Sequence, residues 1–134
     1  EKIILHTHPT ELIALTLIKK FKSAEKINKV LWGIHPEVKI FLPEGIGFVR
    51  YTLLGSERIA ELTIKAFENH KVVLWEKHGA VAAGESALEA FAYIDVLNKA
   101  ALIVLKCLSA GFEPEGLSDA QIKELEDAFL KPAK

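Results

Sequence analysis

Apolar residues in this chain gather into short runs that end abruptly at polar or turn-forming residues, and the spacing within each run predicts its element. Ile3 to Leu5 is continuous and reads as a buried strand, stopped by Pro9, with Thr10 placed to cap a following helix. Leu12, Ile13, Leu15, Leu17 and Ile18 then cover much of a helix surface over Glu11 to Phe21. Ser23 opens a short second helix through Val30 to Trp32, ended by Gly33 and Pro36. Val38 to Leu42 alternates like a strand, and the Pro43 to Gly47 turn delivers a second extended piece near Phe48 to Tyr51.

Past Gly55-Ser56, helical spacing returns at Ile59, Leu62, Ala66 and Phe67. Val72 to Trp75 reads as the next strand, and Ala80 to Ala83 as a short partner before Gly84. Ser86 and Glu89 form a capping-box pattern opening a long helix toward Leu108, closed by Gly111. Ser118 and Gln121 repeat the device for a last helix to about Leu130. Strands and helices thus alternate, which predicts a layered α/β domain around a central sheet.

At 134 residues the chain fits one domain that buries roughly two thirds of its unfolded surface. No internal repeat, low-complexity tract or linker divides it. Half the residues are hydrophobic and the formal net charge is −1, which gives no electrostatic case for nucleic acid or an anionic membrane and points to small molecules or other subunits as partners. No apolar run reaches the ~20 residues of a membrane helix, and no secretory leader pattern opens the chain. The single cysteine, Cys107, forms no internal disulfide and has the apolar neighbours of a buried structural thiol. A soluble, cytoplasmic protein is the expectation. The absence of methionine and the immediate start on a strand-like segment lead us to expect a piece of a longer polypeptide.

The chemistry concentrates at strand ends. His6 and His8 are two apart, so in an extended segment their side chains project from one face and can grip one ion. His78 closes a second apolar run at a comparable position. Three nitrogen donors with one open coordination position are the pattern of a catalytic zinc site; the bland alternative is three hydrogen-bonded histidines at a sheet edge. His70, beside Asn69 at a helix end, suits the helix dipole, and His35 lies in a turn, off the metal. Glu37 follows that turn, where a carboxylate either reaches a pocket edge or is simply solvated. Glu76 is either an outer partner of His78 or a solvent-facing acid, and Glu44 is a turn residue. Gly45-Ile46-Gly47 lacks the helix and Lys-Ser/Thr pair of a phosphate loop. Serine-hydrolase elbows, paired cysteines and helical zinc-protease motifs do not occur.

Taken in order, His6-Thr-His8-Pro9-Thr10 with Leu12 to Leu15, Leu31-Trp32 with Glu37, Pro43 to Gly47, Gly55-Ser56 and Val73-Leu-Trp75 with His78-Gly79 resemble the class II aldolase and adducin family. The resemblance implies a three-layer α/β/α sandwich around a largely antiparallel sheet, here as the C-terminal portion of the domain, and a homotetramer with sites between subunits. It implies Zn2+ on His6, His8 and His78, and Glu37 as a catalytic acid/base reaching a neighbouring subunit's site. The implied reaction is reversible cleavage of L-rhamnulose 1-phosphate to dihydroxyacetone phosphate and L-lactaldehyde. Alternatives within the family act on fuculose 1-phosphate or ribulose 5-phosphate, or serve as metal-free interaction modules of the adducin kind. The family's enolising glutamate and most of its phosphate-binding residues precede the His-X-His motif, and Glu1 stands too close to serve as that base.

Overall fold

A computed structural model describes residues 2–131. Four strands, β1 (Ile3–Thr7), β2 (Gly47–Val49), β3 (Val72–Trp75) and β4 (Gly79–Gly84), form one sheet in the order β1-β4-β3-β2. The pairings β1/β4 and β3/β4 are antiparallel and β2/β3 is parallel, so the sheet is mixed and mainly antiparallel. Six α-helices accompany it among the described residues: α1 (Thr10–Leu17), α2 (Ala24–Ile34), α3 (Pro36–Phe41), α4 (Glu57–Phe67), α5 (Ala87–Ser109) and α6 (Asp119–Leu125).

Alternation along the strands divides the core in two. Val72, Leu74, Ala80 and Ala82 pack with Leu12, Leu15, Ile27, Leu31, Leu42, Leu97 and Val104 of the helices on one face. Val49, Val73 and Trp75 meet Ile59, Leu62, Ala66 and Phe67 of α4 on the other. This is an α/β/α sandwich in which each fully buried aliphatic side chain contributes about 1.5–3 kcal/mol relative to exposure. α4 covers only the β2/β3 half of its face, and Ile4 on β1 stays 72% exposed. The expectation of a buried first strand is corrected accordingly: β1 is a sheet edge with one open face.

Local signals set most helix starts. Ser23, Ser56, Ser86 and Ser118 each accept a backbone N–H from the third residue onward, the expected N-cap bond. The box at Ser118 is complete, whereas Glu89 reaches past Ser86 to accept from the Glu85 N–H. Thr10 is not a cap: Pro9 takes that position, and α1 ends at Leu17 before a 3-10 turn over Lys19–Phe21. Cys107 is only half-buried.

The largest departure is Val38 to Leu42, expected as a strand and found in and just after helix α3. Pro36 supplies the reason. It occupies the first helical turn, where its fixed φ favours a helix and its missing N–H costs nothing. Val38 and Leu42, four apart, are then buried together, while Phe41 faces solvent. Lys39 is buried with them because its ammonium donates to the Pro43 carbonyl at 3.0 Å, pairs with Glu126 at 2.9 Å and lies 3.9 Å over the Trp32 ring.

Candidate metal centre

The strand register explains how two distant sequence segments meet. His6 pairs with Val81, which pairs with Val73, so these three side chains share the face that α4 partly covers. In the next row outward Trp75 pairs with Gly79, and His8 lies beyond. Gly79 leaves this row empty at its middle. A Cβ there would stand 2.5 Å from the Thr7 carbonyl oxygen and 2.8 Å from the His8 ring. The imidazole of His6 can therefore reach across to the Trp75 ring, 4.8 Å between centroids.

His78 completes the cluster from the β3–β4 turn, where Lys77 adopts a left-handed φ of 63°. The Lys77 N–H donates to the Thr16 hydroxyl at 2.9 Å, which ties that turn to α1. One ligand nitrogen from each of His6, His8 and His78 lies within 4.8 Å of the others. The His78 ring lies 5.0 Å from His6, 5.1 Å from His8 and 4.9 Å from Trp75.

Hydrogen bonding fixes which nitrogens are free. A carbonyl can only accept, so His6 Nδ1, 3.0 Å from the Ala80 oxygen, carries the proton and its Nε2 presents a lone pair. His8 Nε2 lies 3.1 Å from that Nε2. Two nitrogens bound at about 2.0–2.1 Å on a tetrahedral ion stand about 3.3 Å apart, close to the spacing found. Nδ1 of His78 is buried without a hydrogen-bond partner. Burial first, and then the neighbouring His6 and His8, hold His78 below the usual imidazole pKa and favour its neutral, ligand-competent form. Three imidazoles converging on one point, one of them with an orphaned nitrogen, fit a zinc ion.

The other acidic and basic candidates lie apart from this cluster. Glu37 sits in the first turn of α3, 58% exposed, with its carboxylate 2.8 Å from His35 Nε2, although the His35 nitrogen makes no aligned hydrogen bond. It is not among the converging ligands. Glu76 is neither an outer partner of His78 nor solvated: it is 4% exposed, accepts from the Tyr51 N–H at 2.8 Å and from Arg50 Nε at 3.1 Å, and lies 3.5 Å from Lys22. The Tyr51 amide foremost, with Arg50 and Lys22, holds its carboxyl below the usual range against the opposing effect of burial. His70 Nδ1 donates to the Ala66 carbonyl at the end of α4, a structural bond as its position suggested. A groove of about 770 Å³ lies elsewhere, between α2 and the segment from Glu113 to Glu126, with none of the three histidines in its wall.

Sequence reasoning missed Trp75 and Gly79 as parts of the site. The residues were visible in Trp75-Glu-Lys-His78-Gly79, but only the strand register reveals that the indole and the histidine pair face each other across a glycine.

Among the described residues no helix is long and apolar enough to cross a membrane. The chain is 47% identical over 131 residues to a protein of Bacteroides thetaiotaomicron named rhamnulose-1-phosphate aldolase, which covers 98% of this chain and 49% of that protein. The crystal structure of a sugar-phosphate aldolase from Thermotoga maritima superposes with a TM-score of 0.73 at 40% identity, over 83% of this chain and 47% of that one. YgbL from Escherichia coli gives a TM-score of 0.77 at 26% identity, over 91% and 56%. The chain spans about half the length of the curated relatives it matches. A family model described as the Class II Aldolase and Adducin N-terminal domain matches residues 2–105, and with the shared fold this establishes that the chain belongs to the class II aldolase and adducin family.

Proposed function

We propose that this chain is a single domain forming the C-terminal, metal-holding portion of a class II aldolase that cleaves L-rhamnulose 1-phosphate to dihydroxyacetone phosphate and L-lactaldehyde. Convergence of the His6, His8 and His78 nitrogens within 4.8 Å supports the metal site, and the name of the relative at 47% identity supports the choice of sugar phosphate. These three residues would hold Zn2+. When bound, zinc supplies Lewis-acid polarisation of a substrate oxygen beside the breaking C–C bond.

The chain's own groups prepare that site. The Ala80 carbonyl keeps the His6 proton on Nδ1 and its lone pair on Nε2. Trp75 packs against the His6 and His78 rings, while His6 and His8 stay exposed toward an incoming substrate. Glu37, exposed and already next to a titratable partner in His35, is the acid/base we assign to the aldehyde-side oxygen, acting in the site of a neighbouring subunit of a homotetramer.

Metal analysis after zinc exposure and dialysis tests the first part: about one zinc per chain is expected for a three-histidine site. Protein that emerges zinc-free would favour a metal-free interaction module instead. Assays of the full-length protein on rhamnulose 1-phosphate test the substrate, and selective turnover of fuculose 1-phosphate or epimerisation of ribulose 5-phosphate would replace it. Light scattering tests the tetramer.

A further inference from the structure

We propose that Thr63 is a positioning residue for the histidine cluster and acts on it through Trp75. The inference rests on the reading of His6, His8 and His78 as metal ligands.

Trp75 is the surface on which two of the three imidazoles rest. Its ring centroid is 4.8 Å from that of His6 and 4.9 Å from that of His78, tilted 40° and 42°. Nothing intervenes, because the position between Trp75 and the histidine pair is Gly79. The indole has one polar handle, and that handle is anchored: Nε1–H donates to Thr63 Oγ1 at 2.9 Å. Thr63 is 8% exposed and commits its own proton to the Ile59 carbonyl one turn back on α4, at 2.6 Å. Its oxygen is thereby left to accept. Rotating the Trp75 ring would strand a partly buried N–H and a buried hydroxyl oxygen, so the two bonds fix the plane against which the imidazoles pack.

This restraint has a specific use. Imidazole ligands are ordinarily oriented by a hydrogen bond on the nitrogen that does not bind metal. His6 has such a bond, to Ala80. The His78 ring has no hydrogen bond among the described residues, and ring contacts with Trp75, His6 and His8 surround it instead. Orientation by packing requires that the packing surface be held still, and a hydroxyl on another layer of the sandwich does this. The sheet residue Trp75 thus carries to the metal centre a restraint that originates on α4.

The test uses Co2+ as the probe in the full chain, followed by its visible absorption, with zinc affinity from chelator competition. Thr63→Val should lower Co2+ affinity about tenfold or more and alter the absorption bands, while Thr63→Ser should return both to within about twofold of the parent. Trp75→Phe should lose affinity similarly, and the double variant should be no worse than Trp75→Phe alone, because both changes cut one link. Parent-like affinity and spectrum in Thr63→Val, equal losses in Thr63→Val and Thr63→Ser, or additive losses in the double variant would overturn the inference. Far-UV circular dichroism checks folding; if Thr63→Val does not fold, parent-like metal binding by Trp75→Phe overturns the inference and weakened binding supports it. A parent protein that binds neither Co2+ nor zinc would overturn the metal reading itself, a separate result.

Discussion

The two ends of the sheet carry similar polar chemistry arranged to opposite effect. At one end, beside the start of β3 and the exit of β4, Lys71 donates to the Tyr93 hydroxyl at 3.1 Å, Tyr93 donates to Glu89 at 2.7 Å, and the other Glu89 oxygen accepts the Glu85 N–H at 2.5 Å. Each group completes its neighbour, so the cluster is closed. At the other end, three imidazoles crowd together while His78 Nδ1 is buried without a partner. The electrostatics follow the same division. Tyr93 raises the Lys71 pKa and the Glu85 amide lowers that of Glu89, so both are held charged, whereas burial keeps His78 neutral. A polar cluster that satisfies itself fastens the fold; one that leaves buried donors and acceptors open is built for a ligand.

Removing a ligand at the open end should give the largest effect. His78→Ala is expected to lower zinc affinity by at least about 100-fold, since a three-donor site loses a donor, while the metal-free protein unfolds near its original temperature. Chelator competition and a thermal melt in EDTA check the two halves of that statement. A variant that holds zinc as tightly as the parent would dissolve the distinction between the two ends. Gly79→Ala comes next and affects both fold and site. Its Cβ meets the Thr7 carbonyl at 2.5 Å and the His8 and His6 rings at 2.8 and 3.2 Å, so backbone must shift. A loss of about 1–3 kcal/mol in urea unfolding, accompanied by weaker zinc binding, is expected from that overpacking.

How far these ends could be read from sequence depends on the range of the interactions involved. Serine caps, the Gly111 helix stop with its φ of +85°, and the strand Val72–Trp75 were legible because each is decided within a few residues. The convergence of the three histidines was legible because strand alternation predicts that His6 and His8 share a face, and because His78 closes a second apolar run at a comparable position. Val38 to Leu42 misled because apolar residues at 38, 40 and 42 imitate strand alternation, while the decisive signals were Pro36 and the burial of Lys39 against Trp32 and Glu126. Trp75 and Gly79 stood within motifs that carry the family resemblance, but their roles beside the histidines and their link to Thr63 exist only once α4, β3 and β4 are stacked. Glu76 was misjudged for the same reason: its partners Arg50 and Tyr51 arrive from beyond β2.

The closed end should respond more mildly, and only in stability. Tyr93→Phe removes a hydroxyl that both accepts from Lys71 and donates to Glu89. The expected cost is about 1 kcal/mol, because Lys71 and Glu89 lie near enough to solvent to recover water contacts. Zinc affinity should not change. A fall in affinity matching that of Gly79→Ala would mean that the ends communicate, and denaturant titration alongside chelator competition separates the outcomes.

The smallest expected effect is the one that most sharply assigns a sign. Glu89 has a folded-state pKa below its ordinary 4.5, chiefly because the Glu85 amide and the Tyr93 hydroxyl both donate to the ionised carboxylate. A depressed carboxyl contributes stability above its unfolded pKa, and that contribution disappears as pH falls through the folded value. Glu89→Gln keeps an oxygen able to accept from the Glu85 N–H, so it removes mainly the charge. The stability difference between parent and variant should therefore be constant above about pH 5, where the unfolded carboxyl is also ionised, and should shrink steadily below about pH 4.5. Other depressed carboxyls, Glu76 and Asp127 among them, steepen the acid limb of both proteins equally and cancel in the difference. A difference that widened on acidification would mean that Glu89 is held protonated rather than charged, and the cluster around Tyr93 would then resemble the open end in leaving a charge requirement unmet.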